Sequence, residues 1–192
     1  MRVVGGEARG RKLRAPAGRS TRPTSDRVRE AIFAILGSLP AECRVSLEGA
    51  TVADLFAGSG ALGIEALSRG ARHATFVDTD REAARTIAEN LAALDLQGGR
   101  ATVVRHDVVR WLATAGPTDV VLCDPPYAFD RWQDLARLLE PVAKLAVLES
   151  DRPLDLGPAW EVVKEKHYGG TVVTVARPAK LADRAGDQKG DT

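Results

Sequence analysis

The chain has 192 residues, 44% hydrophobic and 28% charged, with 27 Lys and Arg against 26 Asp and Glu, the composition of one globular domain. No run of about 18 apolar residues offers a membrane span, and the opening MRVVGGEARGRKLRAP lacks the apolar stretch of a signal peptide, so a cytoplasmic location is expected. Two cysteines, Cys43 and Cys123, and three scattered histidines make neither a disulfide scaffold nor a ligand cluster, and no metal is expected.

The net charge of +1 hides a division. The first 30 residues hold nine basic and three acidic groups, which leaves 18 basic and 23 acidic groups for the rest: +6 against −5. A basic arm on a mildly acidic body points to a polyanion such as nucleic acid, because Lys and Arg contacts to phosphate release counterions. A solvated basic tail is the alternative.

Taken in chain order, Arg2 to Val4 and Arg11 to Arg14 flank a polar, Gly-rich link and read as a small hairpin. Ser25 to Leu36 follows as a helix with an apolar stripe at Val28, Ile32, Ile35 and Leu36, capped by Thr24, Ser25 or Asp26. From about residue 51, β-branched runs alternate with helical stretches, the pattern of βαβ units on a parallel sheet. Strands are predicted at Thr51 to Leu55, Ala74 to Asp78, Ala101 to Arg105, Asp119 to Leu122 and Leu145 to Glu149. Helices are predicted at Gly60 to Arg69, ending on Gly70, and at Asp80 to Leu94, with Ala84, Ile87, Ala88 and Leu91 as its apolar face. Shorter ones fall at Val108 to Thr114 and Arg131 to Leu139. Trp160 to His167 and Thr171 to Val175, separated by Tyr168-Gly169-Gly170, form an antiparallel hairpin. The fold is thus α/β, a Rossmann-like sheet of five parallel strands plus a hairpin, extended at the N-terminus by a small hairpin and helix. The division is a basic extension over 1–22, one main domain over 23–178 and a disordered tail over 179–192.

Two motifs carry chemistry. The first runs from Val52 through Asp54, Phe56, Ala57, Gly58, Gly60 and Leu62 to Gly63, a strand entering a glycine-rich turn that opens a helix. With Asp78 twenty residues after Gly58, it fits a nucleotide-cofactor site whose acid meets the ribose hydroxyls. Asp54 chooses among cofactors. A carboxylate at the mouth of the turn repels a pyrophosphate, whereas S-adenosylmethionine carries a sulfonium, an α-ammonium group and no phosphate. The bland reading of Asp54 is a cap on the turn, and that of Asp78 is a helix cap.

The second motif is Asp124-Pro125-Pro126-Tyr127, directly after a strand. At the carboxyl edge of an open α/β sheet, a carboxylate, a rigid carbonyl and an aromatic ring suit an exocyclic amine on a flat base. Asp124 and the Pro125 carbonyl accept its two hydrogens, which aims the nitrogen lone pair; the alternative is a surface Asx-Pro turn. Asp107, with the Val108 amide, stands where an adenine amino group would be met, or else caps the next helix.

These residues resemble the class I methyltransferases that act on amino groups. The N-terminal Arg2-Val3-Val4-Gly5-Gly6, Arg9-Gly10-Arg11-Lys12-Leu13 and Arg22-Pro23-Thr24-Ser25-Asp26-Arg27-Val28-Arg29-Glu30 are similar to the opening of the RsmD family. That family methylates the guanine N2 amine of 16S ribosomal RNA in the small subunit. The resemblance spans roughly the first 130 residues by motif and the rest by pattern. It implies cofactor contacts from Asp54, Gly58, Gly60, Asp78 and Asp107, with Phe56, Ala57, Leu62, Thr79 and Val108 around them. It implies chemistry at Asp124, Pro125, Pro126 and Tyr127, with Tyr127 stacking on the guanine. Arg9, Arg11, Lys12, Arg14, Arg22 and Arg27 would hold RNA phosphate, while Arg19 and Arg29 read as solvated or paired with Asp26 and Glu30. A monomer is expected. Competing readings are a DNA adenine or cytosine amino methylase, an RNA-binding assembly factor without catalysis, and an NAD-dependent oxidoreductase, which Asp54 disfavours.

Overall fold

The computed structural model describes residues 1–16 and 25–179. Arg19, Arg22 and nearly all of the expected tail lie outside the described residues.

Seven strands form one sheet: β1 (Thr51–Leu55), β2 (His73–Asp78), β3 (Ala101–Arg105), β4 (Thr118–Cys123), β5 (Ala143–Ser150), β6 (Trp160–Tyr168) and β7 (Thr171–Pro178). Their spatial order is β3-β2-β1-β4-β5-β7-β6. The first five are parallel and β7 runs antiparallel to both β5 and β6. The central strands are near-continuous apolar runs because helices cover both faces. β7 is buried along its whole length between β5 and β6, and the outer strand β6 carries Lys164 and Lys166 toward solvent, which blunts an exposed edge.

The helices are α1 (Asp26–Ser38), α2 (Ala61–Ser68), α3 (Arg81–Ala93), α4 (Val108–Leu112) and α5 (Trp132–Leu139). Val52, Phe76, Val120, Leu122, Leu145 and Val147 meet α1, α2 and α3 on one side of the sheet. Ala53, Leu55, Val77, Val121, Cys123 and Leu148 meet α4 and α5 on the other. The connection from β3 returns across the sheet to place β4 beside β1, so the strand order reverses there. A crevice opens outside the carboxyl ends of the strands at such a point.

Several local expectations are corrected. The apolar face of α3 is Ala83, Thr86, Ile87, Asn90 and Leu91, with Ala88 exposed. A polar pair, Thr86 and Asn90, occupies the inner face and so hid its direction from hydropathy. A single 3₁₀ turn at Ala41–Cys43 follows α1, too short to show a period. The N-terminal pairing is one antiparallel bridge, Arg2 to Lys12, and not two strands. Of the two readings of Arg29, the paired one holds: it is fully buried and donates to Asp26 (2.7 Å) and to the Arg2 carbonyl (2.5 Å).

The described part of the basic segment is docked on the body. Val3, Ala8 and Leu13 enter the core beside α1, α2 and α3. The Val4 amide donates to Glu65 Oε2 (2.8 Å) and the Ala8 amide to Ser68 Oγ (2.9 Å). Asn90 on α3 accepts from the Arg14 amide (2.8 Å) and donates to the Arg14 carbonyl (3.0 Å) and to the Ser59 carbonyl (3.0 Å). One amide side chain therefore ties the segment to the glycine-rich turn.

Candidate active site

The glycine-rich turn leaves β1 through Phe56, which stands at φ 58°, a left-handed backbone rare for a bulky side chain. The ring is held edge-on against Phe129 at 5.3 Å, and Phe129 in turn meets Trp132 at 5.2 Å. Strain supported in this way collects at functional turns. Gly58, at φ 56°, donates its amide to Asp78 Oδ2 (2.9 Å), which fastens the turn to the end of β2. The other Asp78 oxygen accepts from the Asp80 amide (2.9 Å). Asp78 thereby links the turn to the residue that caps α3.

Asp54 is 1% exposed and accepts from the Gly63 amide in the first turn of α2 (2.8 Å). Burial pushes its carboxyl well above the usual range; the Gly63 bond opposes that, and the neighbouring Asp124 and Asp78 add to it. It is both a tie between strand and helix and an acid whose charge lacks compensation from its two acidic neighbours.

A cavity of about 770 Å³ gathers this turn and the strand ends. Asp54, Phe56, Ala57, Gly58 and Leu62 line one wall, joined by Asp78 and Thr79. Asp107 and Val108 line another part, and the Asp107 carboxylate also accepts from the Arg110 amide (2.9 Å) as the cap of α4, so capping does not remove it from the cavity. Asp124, Pro125, Pro126 and Tyr127 complete the cavity after β4. Tyr127 is 54% exposed at the mouth, a large ring left facing solvent.

Gly60 is the exception among the expected cofactor residues. An added Cβ there would stand 3.1 Å from Ile87 and 3.3 Å from Phe76, and its φ of 75° excludes most side chains, so its part is to let the turn close on the core. Gly63 is tighter still, its hypothetical Cβ only 2.4 Å from the Phe76 ring. The cavity also contains residues that sequence reasoning missed: Met1, Ala15, Pro16, Phe129, Arg131 and Glu149. Glu149 had a usable signal, an acid ending an apolar strand. Ala15 and Pro16 had none, because their place depends on the distant Asn90 clamp.

The expected phosphate contacts are exposed where the structure describes them. Arg9, Lys12 and Arg27 are open to solvent, Arg11 donates to the Ala93 carbonyl at the end of α3, and Arg14 pairs with Glu89 at 3.2 Å. The Arg14 pair has 78% and 37% exposed side chains, so it is weak.

A seven-stranded sheet of this order with its cavity at the strand-reversal point is the class I methyltransferase fold. The Escherichia coli protein yhhF superposes with a TM-score of 0.78 at 35% identity, over 93% of this chain and 97% of that one. Residues 1–177 match the family described as Conserved hypothetical protein 95, and the chain belongs to that family, the RsmD family. It is 41% identical to YlbH of Bacillus subtilis over 91% of this chain and 97% of the relative. It is 38% identical to ribosomal RNA small subunit methyltransferase D of Escherichia coli, over 88% and 85%. Among the described residues no helix is long and apolar enough to cross a membrane.

Proposed function

We propose that the protein transfers a methyl group from S-adenosylmethionine to the exocyclic N2 of a guanine in small-subunit ribosomal RNA. The observation that carries this reading is the convergence of Asp54, Asp78 and Asp124 on one cavity at the strand-reversal point. An acidic wall of that kind suits a cationic cofactor and an amine substrate better than a pyrophosphate or a hydride acceptor. S-adenosylmethionine, when bound, supplies an electrophilic methyl group on a sulfonium. Asp54 would hold its ammonium end, Asp78 its ribose and Asp107 with Val108 its adenine.

The chain's own residues do the rest by placement. Asp124 and the Pro125 carbonyl accept the two N2 hydrogens and so aim the nitrogen lone pair into the cavity. The prolines fix that carbonyl and withhold competing amides. Tyr127 offers its exposed ring to an extruded base. No strong base is needed, since N2 becomes acidic only as the new bond forms, and Asp124 stands where the proton departs. The docked basic segment, with Arg9, Arg11, Lys12, Arg14 and Arg27, together with Arg22, supplies phosphate contacts. The enzyme acts in the cytoplasm as a monomer, on RNA within an assembling or assembled small subunit.

The test is to map modified nucleotides in ribosomal RNA from cells lacking the protein and to restore the missing one with purified enzyme. The expected result is loss and recovery of a single N2-methylguanosine. Recovery of a methylated adenine or cytosine, or a methyl group on DNA alone, would overturn the reading.

A further inference from the structure

Four acids belong to one stretch of the carboxyl edge, and one of them has no part in the chemistry above. Along each strand, side chains alternate between the sheet's two faces. Asp54 shares parity with Val52, Asp78 with Phe76 and Glu149 with Val147, residues that face α1, α2 and α3. Asp124 follows Leu122 by two, just past the end of β4, and lines the same cavity. The strand order β2-β1-β4-β5 makes these carboxyl groups neighbours. Cys123, the last residue of β4, pairs with Leu148 in parallel register, so Asp124 just past β4 and Glu149 near the end of β5 follow adjacent register positions. Both line the cavity, and Glu149 is only 7% exposed.

A guanine presents two kinds of donor side by side on one edge, the N2 amine and the N1–H. Adenine presents an N1 lone pair in that position. We propose that Glu149 accepts the N1–H of the target guanine beside Asp124, and that this contact selects guanine over bases whose N1 carries no hydrogen. The assignment rests on the guanine-N2 reading and deepens it. Asp124 alone grips an amine on any ring. A second carboxyl group one strand over, lining the same cavity, adds an acceptor for the neighbouring hydrogen, while a lone pair there would meet carboxyl oxygens. Arg131, the residue before α5, lines the same cavity and pairs with Asp134 at 3.2 Å.

The experiment replaces the mapped target guanosine by 2-aminopurine ribonucleoside in the RNA. That base keeps the 2-amine but has no N1 hydrogen. Methyl transfer to both RNAs is measured for the wild type and for Glu149→Gln, with product nucleosides identified by mass spectrometry. The wild type should favour guanine by at least about a hundredfold, the scale for a site built around a substrate N–H. Glu149→Gln, whose amide can donate to an N1 lone pair, should shrink that ratio by at least about tenfold, with cofactor affinity unchanged. A merely structural role would slow both RNAs alike and leave the ratio intact. An unchanged ratio in Glu149→Gln overturns the proposal. Equal wild-type rates on the two RNAs overturn it without any variant. If the wild type places no methyl group on guanine N2 at all, the underlying reading fails as well, a result distinct from the other two.

Discussion

The two edges of the sheet use aspartate in opposite ways. At the amino edge, Asp119 on β4 accepts from both the amide and the hydroxyl of Thr51 (2.8 Å each) and pairs with Lys144 of β5 at 2.7 Å. It binds three neighbouring strands together. Burial alone would raise its carboxyl, but the Lys144 and Thr51 contacts prevail and hold it down at about 2. At the carboxyl edge, Asp54 is buried more deeply and its neighbours Asp124 and Asp78 are themselves acidic, so its carboxyl is driven up. The first arrangement stabilises the fold by itself. The second costs stability in the ligand-free chain, the mark of a candidate binding site.

The largest expected effect separates chemistry from cofactor binding on the carboxyl edge. Asp124→Ala should lose at least about a hundredfold in single-turnover methyl transfer, the scale of one deleted oriented polar contact, while S-adenosylmethionine affinity stays within about twofold. Turnover near that of the wild type would remove Asp124 from the mechanism. Next comes the positive segment brought to that acidic edge, where Met1, Ala15 and Pro16 reach the cavity wall. Replacing Arg9, Arg11 and Lys12 together by Ala should weaken RNA binding and lower the slope of log affinity against log salt by about 2, since each phosphate neutralised on a single strand adds ~0.7 to that slope. An unaltered slope would show that these side chains do not meet phosphate.

The smallest effect belongs to the amino edge. Asp119→Ala should cost about 1–2 kcal/mol in urea unfolding, because the bonds to Thr51 and Lys144 are removed, with cofactor affinity unchanged. Because Asp119 is depressed on folding, its contribution is fully present above the unfolded value of 3.8 and is lost as pH falls through about 2. The wild type should therefore lose more stability than the variant over that acid window. Equal losses would mean that Asp119 is not the strut described.

Much of this was legible in the chain. The five parallel strands, the closing hairpin and the strand-end acids Asp78 and Asp124 were readable because β-branched runs alternate with helical ones and ligands sit at strand ends. What escaped depended on distant partners. The inner face of α3 uses Thr86 and Asn90 in place of apolar residues, and Asn90 holds that position through contacts to Arg14 and Ser59. The pairing of Arg29 with Asp26 was readable, but its full burial against the Arg2 carbonyl was not. Gly60 carried the right motif for ligand contact but is needed by Ile87 and Phe76. Local spacing names the turn, whereas only packing says which glycine faces the cavity.

The contrast between the edges rests on Asp54, and calorimetry of S-adenosylmethionine binding across pH tests it most directly. A carboxyl raised by burial destabilises the ligand-free fold as pH climbs from 3.8 through its folded value, and a bound ammonium group draws the proton off. Wild-type affinity should thus rise with pH over that range, with protons released on binding. Asp54→Asn should bind at least about thirtyfold more weakly, the ~2 kcal/mol lower bound for losing one partner of a buried charge pair, with no such proton release. Wild-type binding that is independent of pH, together with an Asp54→Asn protein that binds equally well, would contradict the account.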